Sequence, residues 1–254
     1  MRRLKLIGIG AGDPDYITVQ AINALNQVDV VFVTDKGPET ADLMRSRRQI
    51  CERYMQSKPY RTVEIQDPER NRTGAYRSTV ARWHEARASL YEQLLRDELS
   101  DGECGAFLAW GDPCLYDSTL RIVDQVSARG GVEFELEVIP GITSIQALAA
   151  RHKMPLNQIA ESIQITPGRQ LLSGAPSPGV NVVVMLDGEC AFKSLEDEDI
   201  DIFWGAYLGT SDEILMSGRL CDLKLRIQAV RAEARRRKGW IMDTYLLRKR
   251  ELPR

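Results

Sequence analysis

The sequence predicts an α/β protein of two domains, the first built on a mostly parallel sheet and the second on a mixed sheet. Three observations predict it. Short apolar runs that stop at glycine alternate with helical periodicity from the N-terminus to about residue 150. Beyond residue 140 or so, strand candidates outnumber crossover helices. The length of 254 residues exceeds that of a usual single domain. The domains are therefore set at 1–139 and 140–254, with an arginine-rich insert over about 36–100 in the first.

Leu4-Lys5-Leu6-Ile7-Gly8-Ile9 is short and apolar and reads as a buried strand. Thr18 is a candidate N-cap, after which Val19, Ile22, Leu25 and Val28 recur at helical spacing. Asp29 to Val33 forms a second buried strand ending at Thr34-Asp35, so the pair and its helix make a βαβ unit with parallel strands. In the insert, Ala86, Leu90, Leu94 and Leu95 mark a helix that Trp83 and Tyr91 help to pack. A strand at Ala106–Trp110 runs into Gly111-Asp112-Pro113, and the helix through Leu120, Val123 and Val126 stops at Gly130-Gly131. Phe134–Ile139 runs into Pro140-Gly141, and Ile145, Leu148 and Ala149 begin another helix. The second domain takes strands near Ile163–Thr166, Val180–Leu186, Ile202–Tyr207 and Trp240–Leu247, with a loop rich in Gly, Pro and Ser at 173–179. The run Arg231 to Lys238 reads as the solvated end of a helix whose dipole it suits.

Composition narrows the function classes. Lys+Arg total 34 against 36 Asp+Glu, a net charge of −2, which argues against a nucleic-acid partner. No apolar run approaches the roughly 18 residues of a membrane helix, and Met1-Arg2-Arg3 leads straight into a strand without a signal-peptide core. The five cysteines are scattered without a C-x-x-C pair, so neither a zinc site nor a disulfide framework is expected and a reducing cytoplasm is the natural setting.

The chemistry is concentrated in the glycine turns. Gly8-Ile9-Gly10-Ala11-Gly12-Asp13-Pro14 follows the first strand, where a nicotinamide-dinucleotide fingerprint would need glycine at position 13 and finds Asp13. A phosphate-binding Walker loop is excluded because no G-K-[ST] follows. Gly-Asp-Pro recurs at Gly111-Asp112-Pro113, and a third strand ends at Pro140-Gly141-Ile142-Thr143-Ser144. One such turn is ordinary loop chemistry. Three at one edge of a parallel sheet, with acids and small hydroxyls, suit a neutral or cationic adenosyl ligand better than a pyrophosphate.

These three segments, in this order, resemble the signatures of the tetrapyrrole methyltransferases, the S-adenosylmethionine enzymes of corrin and sirohaem synthesis, and the resemblance spans nearly the whole chain. It implies two α/β domains with the cofactor held in the cleft between them, S-adenosylhomocysteine as product, no metal, a small-molecule tetrapyrrole substrate and a homodimer. Asp67-Pro68-Glu69-Arg70, Trp83-His84-Glu85-Ala86-Arg87, Trp110 to Ile122, Ala149-Ala150-Arg151-His152 and Trp204 to Gly209 resemble the family's deacetylating branch. That branch methylates precorrin-5 at carbon 1 with hydrolytic loss of acetate, giving precorrin-6A in aerobic cobalamin synthesis. The alternatives are a ring methyltransferase without deacetylation, a nicotinamide-dependent Rossmann oxidoreductase and a non-catalytic adenosyl sensor.

Position by position, the resemblance implies cofactor contacts from Ala11, where the family often has proline, and from Trp110, Gly111, Asp112, Leu115, Thr143, Ser144, Met185 and Gly209. Met185 reads equally well as core packing. The hydrolytic half of the reaction asks for a base. Asp35 and His84 are the candidates, with Asp112 and Asp117 as further carboxylates, while His152 is read as a helix-end structural residue. The arginines of the insert match the acetate and propionate arms of such a substrate, although a solvated basic face is the competing reading.

Overall fold

A computed structural model describes residues 1–35, 41–68, 76–171, 177, 179–196 and 199–250, with the side chains of 35, 41 and 76–78 outside that description. The chain divides into two compact units, Met1–Thr143 and Ser144–Arg254.

In the first unit five strands, β1 (Arg2–Gly8), β2 (Val30–Asp35), β3 (Arg61–Gln66), β4 (Cys104–Ala109) and β5 (Phe134–Ile139), pair in the order β3-β2-β4-β1-β5. Every pairing is parallel. Among the described residues, the connecting α-helices are α1 (Val19–Leu25), α2 (Ala41–Tyr54), α3 (Tyr76–Asp97) and α4 (Thr119–Arg129). Thr18 caps α1 through its hydroxyl, which accepts from the Ala21 amide at 3.0 Å, as the sequence predicts. Gly130, in the left-handed region, closes α4.

Both faces of this sheet are covered. Leu4, Leu6, Phe32 and Phe107 pack with Tyr91 and Leu95 of α3 and with Val123 and Val126 of α4. Ile7, Val31, Ala106 and Leu108 pack with Leu25 of α1 and Ile50 of α2. Double burial is why these strands read as continuous apolar runs. β1 and β4 are neighbours, yet the chain leaves β1 toward β2 and leaves β4 toward β5. Their C-terminal ends thus flank a topological switch point, the place where open α/β sheets bind ligands.

The second unit holds β6 (Ser162–Pro167), β7 (Val180–Met185), β8 (Ile200–Ala206), β9 (Ile214–Arg219) and β10 (Asp243–Lys249) in the order β6-β7-β10-β8-β9. β6 and β7 are parallel and the remaining pairs antiparallel, the mixed sheet that the sequence predicts. Its helices are α5 (Ser144–His152), the single turn α6 (Gly168–Leu171) and α7 (Leu220–Lys238). Trp204, Tyr245 and Phe192 are the large core side chains, the last two meeting edge to face at 5.2 Å.

Arg231 departs from the solvated reading. It is buried on the core side of α7 and pairs with Asp243 at 2.9 Å, while Trp204 Nε1 donates to the same carboxylate at 2.9 Å. The indole and guanidinium together satisfy a charge the core would otherwise reject. Of the basic residues in the run, Arg235 to Arg237 are exposed and Lys238 is half-buried. Among the described residues no helix is long and apolar enough to cross a membrane.

Candidate active site

The three turns meet at the switch point. Gly10 and Gly111 form an isolated bridge, the Gly111 amide donating to the Gly10 carbonyl at 2.9 Å. Gly111 sits at φ +72°, open to glycine at little cost, and lets the second turn fold back on the first. Asp112 ties the second turn to itself and to the third: one carboxylate oxygen accepts from the Cys114 amide at 2.7 Å, the other from the Gly141 amide at 2.9 Å. A Cβ placed on Gly141 would stand 2.0 Å from the Gly111 carbonyl oxygen and 2.9 Å from the Gly8 backbone, so three strand ends touch without a side chain between them.

Ala11 is buried in the first turn, Trp110 and Leu115 are half-buried in the second, and Thr143 is buried in the third. Asp13 accepts from the Asp15 amide at 2.9 Å and so shapes its own turn. The turn residues 8–16, 110–116 and 139–144 contain Asp13, Asp15 and Asp112 and not one Lys, Arg or His. Such a cradle favours a sulfonium cation and offers a pyrophosphate no counter-charge. The donor set therefore fits an adenosyl sulfonium.

The other candidates lie in the second unit, each in its own setting. Ser144 opens α5, with its hydroxyl 2.9 Å from that of Thr244. Met185 closes β7, half-buried, opposite Pro167 of β6. Gly209 has φ +76° and donates its amide to Glu213 at 2.9 Å. His152 Nε2 lies 3.1 Å from the Trp204 carbonyl and its ring meets Phe203 edge-on, a packed structural position whose burial lowers the imidazole pKa.

Of the two proposed bases, Asp35 ends β2 with its side chain outside the described residues. Glu69 and Arg70 of the insert also lie outside them. His84 is half-buried on α3 with its ring 5.4 Å from that of Trp83.

Sequence reasoning did not foresee a polar cavity of about 90 Å³ at the C-terminal edge of β2 and β4, lined by Thr34, Arg47, Arg87, Tyr91, Asp117 and Ser118 among others. Arg87 is held there by an ion pair and by hydrogen bonds from both Nη atoms. Its Nε lies 2.9 Å from Asp67, Nη1 donates to Ser118 Oγ at 3.1 Å and Nη2 to the Tyr91 hydroxyl at 2.5 Å, with the guanidinium over the Trp83 ring. Arg47 donates through Nε to the Leu108 carbonyl at 3.1 Å and through Nη1 to the Leu43 carbonyl at 3.2 Å. The density of arginine in the insert was the available signal, but it did not distinguish these two from their neighbours.

A model of the tetrapyrrole (corrin/porphyrin) methylases matches residues 3–224. The chain is 53% identical over 250 residues to a Sinorhizobium protein named precorrin-6A synthase (deacetylating), covering 98% of this chain and 96% of that one. A solved cobalamin-synthesis-related protein of Corynebacterium diphtheriae, CobF, aligns with a TM-score of 0.84 at 36% identity over 99% of this chain and 100% of that one. Uroporphyrin-III C-methyltransferase of Thermus thermophilus, solved with S-adenosylhomocysteine, shares the fold at a TM-score of 0.58 and 18% identity, covering 96% of each chain. Matched along most of its length by the family model, and over 98% of it by a relative at this identity, the chain belongs to the tetrapyrrole (corrin/porphyrin) methylases.

Proposed function

We propose that this chain methylates precorrin-5 at carbon 1 with S-adenosylmethionine and releases the acetyl group as acetate, giving precorrin-6A in aerobic cobalamin synthesis. The observation that carries this reading is the near full-length similarity, at 53% identity, to a protein named for that reaction. The anionic, glycine-lined turns of the first unit support the choice of cofactor.

Ala11, Trp110, Gly111, Asp112, Leu115 and Thr143 are the first unit's share of the cofactor contacts, and Ser144, Met185 and Gly209 the second's. When bound, S-adenosylmethionine supplies a methyl group already activated for transfer. The protein's part is to align the acceptor carbon and exclude water. Asp112 acts by fixing the second and third turns against each other rather than by moving a proton, because its two oxygens are taken by backbone amides. A homodimer in the cytoplasm belongs to the same proposal, and the free state of all five cysteines supports the reducing compartment.

The test is incubation with precorrin-5 and a methyl-labelled donor, counting methyl incorporated and acetate released. Equal amounts of both are expected. Methyl uptake without acetate would place the chain among ring methyltransferases that do not deacetylate, and binding of reduced nicotinamide dinucleotide in preference to S-adenosylhomocysteine would overturn the class.

A further inference from the structure

The polar cavity of the first unit is not used by the cofactor contacts named above, and its size is informative. About 90 Å³ is room for several waters or a two-carbon acid. It opens at the same sheet edge as the three turns, between Thr34 of β2, Leu108 of β4 and the first turn of α4.

Its two cations differ in what they still offer. Arg87 is charge-balanced by Asp67, which its Nε faces without a hydrogen bond, and both of its Nη atoms donate, to Ser118 and Tyr91. Arg47 keeps Nη2 without a hydrogen-bond partner among the described residues. Asp117 accepts from the Thr119 amide at 2.6 Å through Oδ1, and Oδ2 accepts no hydrogen bond among the described residues. Burial pushes the Arg47 pKa down and the charge of Asp117 pulls it back, the mark of a desolvated cation only partly compensated. A guanidinium stays protonated nonetheless, so an oxyanion entering the cavity would find a ready partner.

We infer that this cavity receives the acetyl group that the reaction removes, with Arg47 donating to its oxygen and Asp117 serving as base toward the attacking water. The inference rests on the reaction proposed above. The water oxygen bonds to the acetyl carbonyl carbon as one water proton passes to Asp117, and the carbonyl π pair becomes an oxyanion facing Arg47. Collapse re-forms the C=O bond and breaks the bond to the ring carbon, whose electron pair stays on that carbon, where the methyl group is accepted. Acetic acid departs and loses its remaining acidic proton to solvent, as does Asp117. The negative charge only moves, from carboxylate to oxyanion, and Arg47 faces it throughout. Asp117 is thereby preferred to His84, which does not line the cavity.

The test combines binding and turnover. Asp117→Asn keeps an acceptor oxygen for the Thr119 amide and so preserves the helix start. It is expected to slow acetate release from precorrin-5 by roughly 10²–10⁴-fold, the usual contribution of a general base, with S-adenosylhomocysteine affinity within about twofold of wild type. Carbon-13 acetate titrated into the whole chain and followed by NMR should bind to wild type and fail to bind to Arg47→Gln. Should that variant not fold, Arg47→Lys keeps the cation, loses the planar fork and must weaken acetate binding. Wild-type acetate release by Asp117→Asn, no acetate binding by wild type, or undiminished binding by the Arg47 variants overturns the inference. A wild-type chain that yields neither methylated product nor acetate refutes the reaction itself, whereas an active wild type with an equally active Asp117→Asn refutes only the role of this cavity.

Discussion

Gly141→Ala probes the crossing of the three turns most directly. The added Cβ stands 2.0 Å from the Gly111 carbonyl oxygen and 2.9 Å from the Cα and carbonyl carbon of Gly8. Ordinary contact begins near ~3.5 Å, so the third turn must retreat from the second by more than about 1 Å. Both obstacles are backbone at the ends of buried strands, and no rotamer change relieves them. The retreat also pulls the Gly141 amide from Asp112, a 2.9 Å bond to a charged acceptor that is worth about 1.5–3 kcal/mol. Added to about 1–3 kcal/mol for overpacking, the expected destabilisation is roughly 2.5–6 kcal/mol. Misplacing a binding group by about 1 Å costs on the order of 10²-fold, so S-adenosylhomocysteine should bind at least that much more weakly. Calorimetric titration beside thermal unfolding measures both quantities, with Gly188→Ala as control because a Cβ there meets nothing within 4 Å. A folded Gly141→Ala chain that binds the nucleoside within about threefold of wild type would refute the idea that these turns form its cradle.

Three further outcomes are expected. Cys114 and Cys221 are exposed while Cys51, Cys104 and Cys190 are buried, with burial pushing the Cys51 thiol up to about 11. Iodoacetamide should therefore modify the first pair, and S-adenosylhomocysteine should slow only Cys114, which lies in the second turn; equal effects at both cysteines, read by peptide mass spectrometry, would remove that turn from the site. Arg231→Ala leaves Asp243 buried without its counter-charge and should cost about 3–5 kcal/mol in urea unfolding, so a loss below about 1 kcal/mol would contradict the buried pair. Burial depresses His152 below its ordinary 6.5. The unfolded chain then binds more protons than the folded one as pH falls below that value, so stability should decline with acidification through this window. Replacing His152 by Gln should flatten that part of the profile of Tm against pH, and an unchanged slope would assign the loss to other groups.

The strands and helices that line the cradle were legible because their signals are local. β1, β2 and β4 are buried on both faces and so appear as unbroken apolar runs, and Thr18 and Gly130 mark helix ends in the residues themselves. β3 and β9 were missed for the opposite reason. Both are edge strands; β3 buries only Ile65 and β9 buries none of its residues, so neither shows an apolar alternation. α2 was concealed by Arg45, Arg47, Arg48 and Arg53, whose charges hide the Ile50 and Cys51 stripe facing the sheet. Arg231 looked solvated within its basic run because the groups that make its burial tolerable, Asp243 and the carbonyl of Asp187, come from other elements, β10 and the loop after β7.

By itself the sequence determined the alternation of strand, glycine turn and helix, the ligand class suited to turns with carboxylates and no basic side chain, and the resemblance that named the family. These are properties of short segments, fixed by backbone freedom and side-chain charge over a few consecutive residues. Only the tertiary structure decided that the chain leaves β1 and β4 in opposite directions and that Gly8, Gly111 and Gly141 touch there. It alone placed Arg47 and Asp117 beside one cavity. Whether a charge is balanced, exposed or left with a donor to spare depends on partners that folding brings from afar, and no window of sequence contains them.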